Sequence, residues 1–475
     1  MKQESPARIT AAAIAPNTVA PDTMTPAMNP RTLRLLQGAI VPTLLQMAWP
    51  NILVMLAQAS TGLIETWWVS RLGTDALTGM AVVFPGFMMM QMLSAGALGG
   101  GISSAIARAL GGGRKADAEG LVMHAVGINL ALGLLASVLF LGFGPQLYRA
   151  MGADGASLDA ALTYSNVVFG GNALVWLMNA FASVIRGTGN MLVPSLAVLI
   201  GVVLLVPLSP LLIFGFGPLP GLGIAGGGLA VMATTLITGA ILFGYIGVGF
   251  CVVGFRRVRP RWTLFADITR VGAVAALSTL QTSLTVMLTT ALVGLTGGPQ
   301  AVAGYGTGAR LEYLLVPLAF GLGGPLVALV GTNMGAGQTA RALRIGLTGG
   351  AMAFVLTEAV GLTAAIWPQA WLGLFGNDPQ MIATGTAYLR TVGPTYGFFG
   401  LGLALYFASQ GAGRLLWPLL SGLARMVVAV LGGWLVLSLT GSLALMFGAI
   451  ALALVVYGAL ITTSVAMGAW YEPAR

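Results

Sequence analysis

Apolar runs of about twenty residues or more recur along this chain from residue 42 onward. Twenty residues of α-helix rise about 30 Å, the thickness of a bilayer's hydrocarbon layer. The runs fall at roughly residues 43–69, 77–107, 118–142, 160–184, 191–214, 223–249, 268–293, 301–331, 341–366, 382–409, 415–439 and 443–468. About twelve membrane-spanning helices are expected from them. Turn-forming clusters separate them, among them Gly111-Gly112-Gly113, Gly217-Pro218, Gly297-Gly298-Pro299 and Asn377-Asp378-Pro379. Composition closes the alternatives. Only 7% of the 475 residues are charged, and mean hydropathy is +0.90. A soluble chain carries about a quarter charged residues. A soluble enzyme, a DNA-binding module and a disordered protein are excluded together, and an all-α polytopic membrane protein remains.

The net charge of +9 is read through topology. Positive residues collect on the cytoplasmic side of membrane proteins. Of 22 basic residues, only Arg71, Arg149, Arg310 and Arg390 fall on one side of the expected spans. The other 18 (22 − 4), Arg108, Arg341 and Arg425 among them, fall on the opposite side. Both termini are therefore expected in the cytoplasm of an inner-membrane protein, and nucleic acid is not expected as a partner. Residues 1–38, with their scattered prolines and no apolar segment before a cleavage site, read as a flexible cytoplasmic tail and not a signal peptide. Cys251 and His124 are single, so no disulfide within the chain and no Cys- or His-based metal site is expected. No cofactor is expected either.

The chain repeats itself at an offset of 224, the difference between Gly73 and Gly297. In the same register Gly99-Gly100 meets Gly323-Gly324, and Gly111 and Gly113 meet Gly335 and Gly337. Gly152 and Asp154 meet Gly376 and Asp378, Tyr164 meets Tyr388, and Gly187, Gly189 and Pro194 meet Gly411, Gly413 and Pro418. One gap-free register through loops and helix ends marks a duplication. Six spans per copy is an even number, so both copies enter the membrane from the same side, related by an axis along its normal. The expected organisation is a tail (1–38), a six-helix lobe (39–250), a basic cytoplasmic linker (251–267) and a second six-helix lobe (268–475). Rocking two such lobes exposes the cleft between them to each side in turn.

Repeat, helix count and loop motifs together resemble the multidrug and toxic compound extrusion (MATE) transporters. Trp49-Pro50 opens the first helix. Gln58, Glu65-Thr66, Val69 and Leu72-Gly73 are similar to that family's Q-x6-D-T-x-x-V-x-x-L-G pattern. Arg186-Gly187, Gly189-Asn190 and Pro194 are similar to its R-G-x-G-(D/N) loop. Gly331, Asn333, Gly335-Ala336-Gly337 and Arg341-Ala342 are similar to its G-x-N-x-G-A-G-x-x-x-R-A loop. Arg310-Leu311-Glu312 after Tyr305-Gly306 resembles the DinF-like branch. The resemblance covers about residues 40–468. It implies cation-coupled antiport of small molecules by alternating access, with the first-helix acid as coupling group. Two departures stand out. That acid is Glu65, one methylene longer than the family's Asp. The fifth helix reads Leu205-Val206-Pro207-Leu208-Ser209-Pro210 where the DinF-like branch has N-x-x-x-D-P.

Candidate groups follow from the cost of polarity in lipid. Asn51, Gln58 and Glu65 are spaced by seven and share a helix face, with Thr61 at its border. An acid inside a span usually faces a cavity, and withdrawal from water favours its protonated form. Glu65, with Gln58 and Thr61, is the cation-coupling candidate; a structural, hydrogen-bonded Glu65 is the alternative. Glu312 and Glu358 are secondary coupling candidates, although Arg310 beside Glu312 suggests an interfacial ion network, and packing or pairing explains Glu358 as well. Ser165, Asn172, Trp176, Asn179 and Ser183 form a polar face on the fourth helix. Tyr396, Phe399, Leu403, Tyr406 and Gln410 form an aromatic face on the tenth. Aromatic faces attract organic cations. Asn172, Trp176, Asn179, Tyr396, Phe399 and Tyr406 are the substrate-binding candidates; helix packing is the competing reading.

The expected function is a secondary active exporter of organic cations or amphipathic small molecules, antiporting protons in preference to sodium. Lipid surrounds it, and a monomer is expected. The alternative is a lipid-linked precursor or polysaccharide flippase, which would need several Arg or Lys in its cleft; basic residues within the expected spans are nearly absent. The lysines are Lys2 and Lys115, and no phosphate loop exists, so ATP hydrolysis is excluded. No nucleophile-base constellation points to an enzyme, and no filter-like loop to a channel.

Overall fold

The computed structural model describes residues 29–217 and 219–470, with the backbone alone at residues 59–61, 63, 219, 313 and 314. Helices dominate, because in lipid each backbone N–H and C=O must find its partner inside its own segment. The first lobe holds α1 (Pro30–Gln37), α2 (Ile40–Ser70), α3 (Thr74–Gln91), α4 (Gly99–Gly111), α5 (Lys115–Ala150), α6 (Gly155–Gly170), α7 (Asn172–Gly187), α8 (Leu192–Phe214) and α9 (Ile224–Gly247). The second holds α10 (Trp262–Gly335), α11 (Thr339–Ile366), α12 (Pro368–Leu372), α13 (Pro379–Val392), α14 (Tyr396–Ala412), α15 (Leu416–Val427), α16 (Gly433–Thr440) and α17 (Leu443–Ala466). A two-residue ribbon, Gly215–Phe216 against Leu219–Pro220, closes the turn after α8.

Among the described residues nine helices are long and apolar enough to cross a membrane, and the bent pair α6–α7 makes ten. The second arm of α10 makes eleven, because Gly298 breaks that helix at φ 71°, between Gly297 and a proline. The run α13–α14, interrupted by a 3-10 turn at Gly393–Thr395, makes twelve. The all-α, twelve-helix, two-lobed fold expected from the sequence is the fold observed.

Three local expectations need correction. The fourth span is not one straight helix: it bends by 44° between α6 and α7, so Ser165 and Asn172 lie on different segments. The end of the expected flexible tail is ordered. Asn29 caps α1 by accepting from the Arg31 amide at 2.9 Å, Pro30 supplies a preset first turn, and Leu35 and Leu36 are buried. Residues 1–28 of that tail lie outside the described residues. Finally, α10 starts at Trp262, inside the stretch expected as linker. The linker is pinned to α5: Arg261 reaches Asp117 at 2.7 Å, Arg256 reaches Glu119 at 3.6 Å, and the Arg261 amide donates to His124 Nε2 at 3.0 Å.

The lobes meet at one end, and repeated glycines set how closely. Gly111 lies against the backbone carbonyl of Thr332, and its repeat mate Gly335 lies against the carbonyl of Arg108, itself the mate of Thr332 (108 + 224). A Cβ at either glycine would overlap that carbonyl. Small residues permit such backbone approach, which replaces the hydrophobic effect as the source of helix association in lipid. Around this contact Ser104 Oγ donates to the carbonyls of Gln410 at 2.5 Å and Gly411 at 3.0 Å. Arg108 pairs with Asp267 at 2.5 Å and donates to Gly411 O at 3.2 Å. Asn333 Nδ2 donates to Leu35 O at 3.1 Å, and Arg341 to Gly38 O. The glycine-rich loop motifs that end at this face therefore hold the two lobes in contact.

Candidate functional site

Glu65 sits on the last third of α2, 9% exposed. It faces Ser209 of α8 and Tyr164 of α6. No basic side chain comes within 4.0 Å of it among the described residues, and its Oε1 has no hydrogen-bond partner. Among the described residues Ser209 Oγ, the group Glu65 faces, and Trp68 Nε1 on its own helix are also buried without a hydrogen bond of normal geometry. Leaving a buried polar group unmade costs about 1–3 kcal/mol, so a cluster of them marks more than packing. Gln58, two turns before Glu65, is exposed. The side chain of Thr61 lies outside the described residues. Asn51, on the same face, is buried and accepts from Ser195 Oγ at 3.2 Å.

The fourth-helix candidates divide. Asn172 and Trp176 are buried within the first lobe, Asn172 donating to Gly133 O at 3.3 Å. Asn179 donates to Gln91 Oε1 at 2.9 Å and Ser94 Oγ at 2.7 Å. Ser94 belongs to a π-helical turn, Met92–Leu98, and Ala97 of that turn packs with Leu415, Val271, Ala275 and Tyr406 of the second lobe. Asn179 and Tyr406 are thus joined through this turn, at the floor where the lobes meet. Gln91 and Ser94 were not singled out from the sequence. A single-turn π-bulge, often found at functional sites, leaves no residue signature.

The tenth-helix face also divides. Tyr406 is half-buried at the floor, whereas Tyr396 is fully buried and Phe399 is 8% exposed, both inside the second lobe. Glu312 lies with them. It accepts from Tyr388 Oη at 2.6 Å, while the neighbouring Arg310 stacks 5.9 Å from the Phe375 ring. The expected ion network with Arg310 does not form among the described residues. Glu358 accepts from the Gly397 amide at 2.7 Å, tying α11 to the first turn of α14. Arg425 requires a correction to the charge count. It lies ten residues into the α15–α16 span, not in a loop, with its guanidinium 5.5 Å from the Phe399 ring and 5.7 Å from the Tyr457 ring.

Two six-helix lobes, joined at one end and each holding a buried polar cluster, define a membrane transporter. The comparisons with known proteins place it. The MatE family profile matches residues 50–211 and 275–435, and the two matches start 225 and end 224 positions apart (275 − 50; 435 − 211), as the internal repeat requires. This chain belongs to the MatE family, whose members are transporters and not enzymes. It is 28% identical over 405 residues to a FAD transporter of Shewanella oneidensis, covering 84% of this chain and 88% of the relative. It is 25% identical over 394 residues to a probable multidrug resistance protein NorM of Thermotoga maritima, covering 79% and 81%. Among solved structures, a MOP superfamily transporter from Pyrococcus furiosus superposes with a TM-score of 0.84 at 24% identity, covering 93% of this chain and 99% of that one. An outward-facing multidrug resistance MATE family transporter gives 0.83 at 23%, covering 92% and 98%. These two likenesses speak for the fold.

Proposed function

We propose that this chain is a cation-coupled exporter of small organic molecules, with Glu65 as the coupling carboxylate and the proton favoured over sodium. The observation that carries the reading is the setting of Glu65: buried and, among the described residues, without a basic partner and with one carboxylate oxygen unpartnered. A lone carboxylate withdrawn from water costs less when it carries a proton. Sodium asks for several oxygen ligands, and the second acid of the DinF-like pattern is replaced by Ser209. The DinF-like branch remains the best match for Arg310-Leu311-Glu312. With the termini in the cytoplasm of the inner membrane, the joined end, which carries Lys115 and Arg341, faces inward, and the molecule stands open to the outside.

Substrate is taken at the floor formed by Asn179, Gln91 and Tyr406 and in the aromatic interior of the second lobe, with organic cations or amphipaths as the first class. The relative named as a FAD transporter puts metabolite export beside drug export. The flippase alternative loses part of the argument against it, since Arg425 is a basic residue within a span, as are Arg310 of α10 and Arg390 of α13; a pyrophosphate head group would call for several such residues brought together.

The test is transport by the purified monomeric protein in proteoliposomes under imposed pH or sodium gradients. A proton gradient should drive uptake of a cationic dye. Glu65→Gln should abolish that uptake while leaving the protein folded. Normal proton-driven transport by well-folded Glu65→Gln would sink the assignment and move it to Glu312 or Glu358.

A further inference from the structure

Arg425 is half-buried in the middle of an apolar helix, yet among the described residues its guanidinium makes no hydrogen bond and no ion pair within 4.0 Å. Its guanidinium lies over the rings of Phe399 and Tyr457. An arginine placed in lipid for structure alone ordinarily finds a carboxylate or carbonyl, because an uncompensated charge there is expensive. None of its nitrogens is among the fully buried orphan atoms, so its N–H groups reach open space. Glu312 is within electrostatic reach across the lobe interior, but its Oε1 is engaged by Tyr388. Three residues after Arg425 the helix departs from α geometry in a π-helical turn, Val428–Gly432. The repeat mates of Arg425 and Glu312 are Gly201 and Met88, so the first lobe has no counterpart.

We infer that Arg425, collared by Phe399 and Tyr457, is a second binding site that takes the anionic group of a substrate carrying a planar aromatic ring. A guanidinium fork matches a carboxylate or phosphate in two parallel hydrogen bonds, and its plane, held against the buried Phe399 and Tyr457 rings, is itself a stacking surface for the planar part. Glu312 is the internal anion that competes with the ligand for Arg425. The site deepens the exporter reading, on which it rests for its access to substrate, and it separates the labour of the lobes. The first carries the coupling acid with no cation beside it; the second carries the cation that recognises an anionic cargo.

Two xanthene dyes, fluorescein as the anion and tetramethylrhodamine methyl ester as the cation, share a ring system and differ in charge. Fluorescence anisotropy with the purified full chain in nanodiscs, at mildly alkaline pH, reads both affinities. Wild type should bind fluorescein saturably. Arg425→Gln should weaken it about tenfold or more, the effect of one charge-assisted hydrogen-bond pair, with the rhodamine ester changed far less. Arg425→Lys should retain part of the affinity, and Glu312→Gln should tighten fluorescein by removing the competing anion. Equal weakening of both dyes by Arg425→Gln, or no saturable fluorescein binding to wild type, overturns the site. Should Arg425→Gln not fold, Glu312→Gln decides: tighter binding supports the site, unchanged or weaker binding overturns it. A wild type that moves the rhodamine ester down a pH gradient but ignores fluorescein sinks this site and leaves the exporter standing. Fluorescein binding without gradient-driven transport does the reverse.

Discussion

Leu44 and Ile268 are 224 positions apart, both fully buried, and each packs in the core of the other half. Leu44, with Met47 and Ala48, sits among Leu326, Leu329 and Ile345; Ile268, with Leu264, sits among Leu98, Ile102 and Ala105. The first helix of each repeat therefore begins in the opposite lobe and finishes in its own, where Glu65 and Val69 meet α8 and α9. A rocking motion about the joined end would bend or slide these two helices, and only the first carries a breaker within it: Pro50 in α2, whose repeat mate is Val274.

The reciprocal glycine contact predicts how closure fails. Gly111→Ala and Gly335→Ala each place a methyl against a backbone carbonyl that cannot swing aside. Each should destabilise the joined state by about 1–3 kcal/mol, the usual range for overpacking. Spin labels at Lys115→Cys and Gln338→Cys, both exposed beside the contact, should report longer distances in either variant than in the parent.

Cys251 is 9% exposed, and burial pushes its thiol above the usual range. Only thiolate reacts, so labelling of the folded protein should be slow at neutral pH and rise as pH climbs above the ordinary thiol value. Side assignment thus calls for Arg257→Cys, an exposed linker position, with Cys251→Ala. An impermeant maleimide should reach it in inverted vesicles and not in intact cells; labelling in intact cells reverses the proposed orientation.

Tyr396 and Tyr406 share a helix face but not an environment. Tyr396→Ala removes a fully buried ring and should cost about 3–5 kcal/mol of stability for every substrate alike. Tyr406→Ala, half-buried at the floor, should lower the melting temperature less than Tyr396→Ala and weaken some substrates more than others. Melting curves and dye affinities measured on both variants check the contrast.

Glu65→Asp should keep proton-driven transport at a reduced rate, because the carboxyl survives while its reach toward Ser209 shortens by one methylene. Transport equal to that of Glu65→Gln would mean that the position of the carboxyl matters as much as its presence.

The spans, the duplication and the family were legible because each is written in many residues at once: hydrophobic runs, a constant offset, motifs in order. What escaped depends on single residues in three dimensions. The bend at Gly171 and the 3-10 turn at Gly393 interrupt runs that remain apolar throughout, so hydropathy passes over them. Counting charge by proximity to a span's end puts Arg425 on the basic side, because aromatic neighbours from α14 and α17 leave no mark in the local sequence. Glu312 has Arg310 two positions away in sequence, yet helix geometry points residues two apart to different faces. Glu65 is a candidate in the sequence because acids well within the expected spans are few: Glu65, Glu312 and Glu358.

The short helix α1 touches both halves: Leu35 covers Gly189 of the first and gives its carbonyl to Asn333 of the second, and Gly38 holds Arg341. Separating the lobes at this end exposes or displaces Leu35 and Leu36, each worth about 1.5–3 kcal/mol when fully buried. That energy is spent on every cycle and returned on every cycle, so it leaves the thermodynamic driving force untouched. It belongs to the barrier. On the proposed cycle α1 acts on speed alone: trimming its two leucines should raise turnover without changing the gradient the protein can sustain.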